Sequence, residues 1–123
     1  MVPWEHMRLP WLVAALVLAA LLAGVHIHAL LHFWYWYFPW LDIPVHILGG
    51  AFMAAASVGV LRSYKPRAFL LVVVAGALGW EFFEFVINVE HEANFVLDTA
   101  LDLLMDTLGI VLAYGIARLT IWR

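Results

Sequence analysis

The chain has 123 residues, of which 67% are hydrophobic and 12% charged, where an ordinary soluble domain runs near half apolar and a quarter charged. So little polar material cannot cover a core drawn from two-thirds of the chain, which excludes a water-soluble globule and makes lipid the expected solvent. The length allows one domain, the lack of cysteine excludes disulfides and thiolate sites, and a formal net charge of -3, from six Lys+Arg and nine Asp+Glu, leaves no basic stripe for nucleic acid.

Four apolar runs approach the 20 or so residues that cross about 30 Å of hydrocarbon. The first, residues 9–31, has Pro10 in a first-turn position, where its missing N–H costs nothing, and is interrupted only by His26 and His28. It is longer than the apolar stretch of a cleaved signal peptide and is read as a span. The aromatic run from His32 to Trp40 follows, and its rings suit the headgroup layer. The second crossing, 43–61, carries Pro44 near its start and an expected interior stripe of His46, Gly50, Met53 and Ser57. A basic turn from Arg62 to Arg67 leads to the third crossing, 68–88, with Glu81 and Glu84. An acidic loop containing Glu90, His91 and Glu92 leads to the fourth, 98–120, with Asp102 and Asp106. Trp4, Trp11 and Trp122 are candidate anchors at the opposite boundary. The predicted fold class is all-α: one transmembrane domain, an integral membrane four-helix bundle.

All six basic residues, Arg8, Arg62, Lys65, Arg67, Arg118 and Arg123, fall in the N-terminal segment, the second loop or the C-terminal end. The positive-inside rule therefore places both termini in the cytoplasm and the first and third loops outside, in a bacterial inner membrane. On that topology Asp42, Glu81, Glu84, Glu90, Glu92, Asp98, Asp102 and Asp106 belong to the outward half. Asp98, Asp102 and Asp106 recur every fourth residue and drift about 40° per step, forming one stripe about 12 Å long. Glu81, Glu84 and Asn88 share a face of the third crossing. The third and fourth crossings, joined by a short loop, are expected to pack as antiparallel neighbours. Counting from that loop, Asn88 is level with Asp98, Glu84 with Asp102 and Glu81 with Asp106. Asp42 and His46 are i, i+4 at the same end, and so are His28 and His32.

A lone carboxylate deep in a spanning helix costs about 2.5–3.5 kcal/mol on insertion scales, so Glu81, Glu84, Asp102 and Asp106 together cost about 10 kcal/mol unless compensated. This half of the sequence has no Lys or Arg to compensate them. What remains is protons, water, histidinium or a bound cation. Oxygen and imidazole donors without sulfur suit Zn, Mn, Fe or Mg, and carboxylates on facing helices are a known way to hold metal in a bundle. The candidate metal ligands are His46, Glu81, Glu84, Asp102, Asp106, Asp42 and Asp98, with Glu81 and Asp106 as candidate catalytic acids. For Asp42, an N-cap role at the start of the second crossing is an equal alternative. His26, His28, His32 and His91 are expected to stay hydrated near the interface, and Glu90 and Glu92 to be solvated. Small residues at Ala15/Ala19/Ala23, Gly49/Gly50, Gly76/Gly79 and Gly109 predict close helix contacts.

The order Asp42-x-x-x-His46-x-x-Gly49-Gly50, Trp80-Glu81-x-x-Glu84, and Asp98-Thr99-x-x-Asp102-x-x-x-Asp106-x-x-Gly109 resembles small bacterial membrane proteins of the YjdF type. More distantly it resembles VanZ-like proteins of the cell envelope. The resemblance spans about Asp42 to Gly115 and implies a four-helix membrane fold without implying a reaction. From the residues, the leading expectation is a divalent-metal site open to the outside that hydrolyses or transfers a headgroup of a lipid or envelope amphiphile. The alternatives are a proton or divalent-cation pathway built on the same acids, or a structural subunit, as a homo-oligomer or within a larger membrane assembly.

Overall fold

The computed structural model describes residues 3–61, 63–87 and 94–123, with side chains of 3–7 and 87 left aside. Trp4, Arg62, Asn88, Glu90, His91 and Glu92, named above, lie outside the residues or side chains described. The described residues form helices α1 (Pro3–Leu31), α2 (Trp34–Tyr37), α3 (Asp42–Val60), α4 (Pro66–Ile87) and α5 (Phe95–Leu119), with a 3-10 turn at Pro39–Leu41 before α3. There is no strand among them. Three of these segments are long and apolar enough to cross a membrane: Arg8–Leu31, Pro39–Val60 and Pro66–Val86. At 25 residues α5 has the length as well, but Asp98, Asp102, Asp106 and Arg118 dilute its apolar character.

Each long helix matches an expected crossing, with two corrections at its ends. Among the described residues α1 already runs from Pro3, so Pro10 sits inside the helix and not in its first turn. Trp122 is a core residue, not a boundary anchor. The chain folds back after α5 through a Trp122 N–H donated to Ala117 O at 2.8 Å, and this tucks the indole against Phe69 and Tyr114.

The aromatic run makes a tight reversal between α1 and α3. Phe33 takes the left-handed conformation at φ 56°, which stops α1 and starts α2. Of the rings that follow, Tyr35 alone is buried, against Ala29 and Val45, while Trp34, Trp36, Tyr37, Phe38 and Trp40 stay exposed. That pattern fits a cap with one ring pinned to the core and the others facing the surroundings.

α3 is the central helix. Both α1 and α5 pack along it; α4 lies against it over a shorter stretch and touches α5 only sparsely. The third and fourth crossings, α4 and α5, touch as expected but only sparsely, and the closest pair is α3–α5. The cause is small residues at the crossing point. A Cβ on Gly50 would run into the main chain of Asp106, 2.8 Å from its carbonyl carbon, and one on Gly109 would come within 2.7 Å of the Ala51 nitrogen. Contacts between α3 and α5 advance in step, from His46 with Asp102 and Asp106, to Gly50 with Asp106, to Ile47 and Ala51 with Gly109. The two helices thus run parallel. Below the crossing Ala54, Val58, Ala113 and Ala117 continue the contact as a buried small-residue seam.

The same faces carry the polar groups. α4 buries Phe69, Val73, Ala77 and Glu81, each four residues from the last. α5 buries Asp102, Asp106, Gly109, Ala113 and Ala117. Because helical periodicity keeps such residues on one side, burying the apolar part of each stripe drags its acids inward too. At the far end, Arg8 donates to Gly59 O at 2.8 Å and Val60 O at 3.2 Å, satisfying carbonyls that the end of α3 leaves without helical partners.

Candidate metal centre

His46 stands one turn into α3 and is 4% exposed. Its Nδ1–H donates to Asp106 Oδ1 at 3.0 Å. That engagement turns Nε2 the other way, where Asp102 Oδ1 lies at 3.4 Å and Asp42 Oδ1 at 3.5 Å. Donor atoms of His46, Glu81, Glu84 and Asp102 all lie within 4.8 Å of one another. Those four come from α3, α4 and α5, so the group exists only in the folded chain.

The arrangement has the parts of a metal site. Metal-bound histidine usually donates its second ring N–H to a carboxylate, which fixes the tautomer and aims the lone pair, and Asp106 stands in that place. Zn–O and Zn–N bonds of about 2.0–2.2 Å put neighbouring donors roughly 3–4 Å apart, so the group needs only slight contraction to close on an ion. One atom of the group has no hydrogen-bond partner, and Thr99 Oγ1, outside the group, is the other such buried side-chain atom among the described residues. Glu81 Oε1 is buried without a hydrogen bond, on a residue only 7% exposed. Such an atom is costly in a packed interior, because its lost hydration is not replaced. No Lys or Arg makes an ion pair with these four residues among the described residues; the close charge contacts of the group run to His46.

The seven expected ligands thus divide. His46, Glu81, Glu84 and Asp102 converge. Asp42, Asp98 and Asp102 form a second, more open group, also within 4.8 Å, so Asp102 is common to both. Asp106, expected as a ligand and catalytic acid, lies behind the imidazole as its orienting partner. Asp42 makes no side-chain cap, because α3 starts at Asp42 itself and its carboxylate reaches back to His46. Of the small-residue sites, Gly50 and Gly109 are true crossing points, whereas a Cβ added to Gly79 would meet nothing within 4 Å and Ala23 is exposed.

One polar residue sits deeper than sequence reasoning predicts. His26 is partly buried, shares a 2.7 Å hydrogen bond with Tyr35 Oη, and meets Trp80 edge-on at 5.6 Å. Burial, with Asp42 and Glu84 nearby, holds the Tyr35 phenol protonated well above its usual range. The available signal is that His26 continues the Ala15, Ala19, Leu22 face of α1. His28 and His32 are exposed as expected, their rings stacked at 5.9 Å.

A cavity of about 450 Å³ between α1, α3 and α4 reaches this group, and Asp42, His46, Glu84, Asp106 and His26 line its polar end. Comparison with protein-family models, with curated proteins and with solved structures finds no match for this chain. The functional reading therefore rests on the geometry.

Proposed function

We propose that this protein is a four-helix integral membrane protein of a bacterial inner membrane, with both termini cytoplasmic and a divalent-metal site open to the outer side. His46 Nε2, Glu81, Glu84 and Asp102 hold the ion, and Asp106 orients the histidine. The observation that carries this reading is the buried, unpartnered Glu81 Oε1 inside a four-donor group without Lys or Arg. An ion there satisfies the orphan oxygen and offsets part of the charge of the acids. The clustering of Lys and Arg away from the acids supports the orientation. On the same motifs we read the chain as related to YjdF-type and, more distantly, VanZ-like proteins.

The chemistry such a site supports is hydrolysis or group transfer on the polar head of a membrane amphiphile. A bound divalent ion polarises a phosphoryl or carbonyl oxygen and lowers the pKa of bound water. Asp42 and Asp98, beside Asp102 and outside the four-donor group, are then placed to take or return a proton. The structure does not favour a transmembrane proton or cation pathway: beyond Asp106 the one buried polar side chain among the described residues is Ser57, whose hydroxyl donates to Met53 O at 2.7 Å. The test is elemental analysis of protein purified without added metal and again after Mn2+ or Zn2+ loading. About one tightly held ion per chain is expected, lost in Glu81→Gln and Asp102→Asn. Folded wild-type protein that takes up neither ion refutes the reading.

A further inference from the structure

The cavity beside the acids changes character along its length. Its polar end is formed by Asp42, Glu84 and His26, and the remainder by Ala19, Ala23, Phe52, Met53 and Gly76. From Glu84 to Gly76 is eight residues of α4, about 12 Å of helix. The volume of about 450 Å³ falls in the range of small-molecule sites. α1 and α4 form two of its walls yet make no extended contact with each other, so the cavity opens sideways between them. In a membrane that side faces the acyl chains.

Charge decides which head fits. Asp42, Glu81, Glu84, Asp102 and Asp106 gather around His46, and none of them forms an ion pair with Lys or Arg among the described residues. A single divalent ion leaves much of that negative charge uncancelled, so an anionic head is repelled and a cationic one drawn in. Trp80 lines the cavity next to Glu84, and an indole ring attracts ammonium groups.

We propose that this cavity binds a single-chain amphiphile with an ammonium head, admitted from the membrane between α1 and α4. The chain lies along the Ala19–Met53–Gly76 slot and the head sits against Asp42 and Glu84. This shares with the amphiphile reading above only its membrane setting and goes beyond it, naming a ligand that the cavity holds and no bond that is cleaved. It depends on the placement of the acids, not on an ion being bound.

The test uses full-length protein in nanodiscs of zwitterionic lipid, with three probes brominated on the chain carbons close to the head: dodecylammonium, dodecanol and dodecyl phosphate. Bromine quenches nearby indoles, and the difference between wild type and Trp80→Phe isolates the signal from the slot. Membrane partitioning of each probe is measured separately and divided out. Saturable, Trp80-dependent quenching by dodecylammonium is expected, with dodecyl phosphate at least about tenfold weaker. Ala23→Leu and Gly76→Leu, which fill the slot from opposite walls without adding an indole, are expected to abolish it while metal content stays at the wild-type level. Equal or tighter binding of the phosphate probe, or quenching that survives both fillings, overturns the proposal. Loss of metal uptake with ammonium binding intact refutes the metal reading alone.

Discussion

Replacing Gly50 by alanine is expected to disable the metal centre without touching a ligand. The new Cβ would stand 2.8 Å from the Asp106 carbonyl carbon and 3.0 Å from its Cα. Carbon atoms prefer about 3.5–4.0 Å, so α3 and α5 must part by roughly 1 Å. Main chain cannot swing aside as a side chain can, so the cost belongs at or above the upper end of the about 1–3 kcal/mol seen for overpacked cores. Against this, Gly→Ala in a helix gains up to about 1 kcal/mol of propensity, leaving a net loss of about 2 kcal/mol. The same separation takes the 3.0 Å His46–Asp106 hydrogen bond to about 4 Å, beyond bonding reach. Gly79→Ala is the control: nothing lies within 4 Å of the added atom, so it gains propensity and loses nothing. Thermal or denaturant unfolding in detergent, paired with metal content, reads both effects. Gly50→Ala protein as stable and as well metallated as Gly79→Ala would refute the close α3–α5 crossing.

Glu81→Gln is expected to abolish metal binding and yet to stabilise the metal-free protein, because it removes a buried charge costing about 2.5–3.5 kcal/mol; chelated wild type and variant are compared by unfolding. Asp106→Asn is expected to weaken metal affinity by about 10–100-fold without abolishing it, whereas Asp102→Asn abolishes it, a distinction read by competition with a metal-sensitive dye. Chelation of metal-loaded wild type is expected to lower its melting temperature; free metal at about 100 times its Kd corresponds to about 2.7 kcal/mol of stabilisation. Because the chain has no cysteine, Ser63→Cys and Tyr37→Cys are clean reporters of topology. An impermeant maleimide is expected to label Tyr37→Cys in intact cells and Ser63→Cys only after lysis.

The helices are legible in the sequence because each is a long apolar run, and the acids are legible as inward-facing because they share spacing with buried residues such as Val73 and Ala113. Which helices touch is not. Gly50 and Gly109 announce close approach, but a glycine does not name its partner, and the short loop between α4 and α5 points to a pair that touches only sparsely. Counting from that loop gives the depth of Glu84 and Asp102 correctly, since both join one donor group. The same count sets Glu81 level with Asp106, whereas Glu81 joins the donor group with Asp102 and Asp106 meets Nδ1; depth along α4 and α5 does not say how the imidazole on α3 is turned. His26 misleads because an imidazole near a helix end is easily tolerated when hydrated; only the fold reveals Tyr35 reaching back to it.

The parallel pairing of α3 and α5 also bears on how the protein is made. Two parallel helices cannot be joined by a short hairpin, so the ribosome must deliver all of α4 before the helix that seals His46 emerges. Until then the imidazole has neither Asp102 nor Asp106, sixty residues downstream of it in the second case. The centre is therefore the last thing to assemble during biogenesis, and a nascent chain stalled before residue 95 would hold the three most apolar spans among the described residues while holding no completed site.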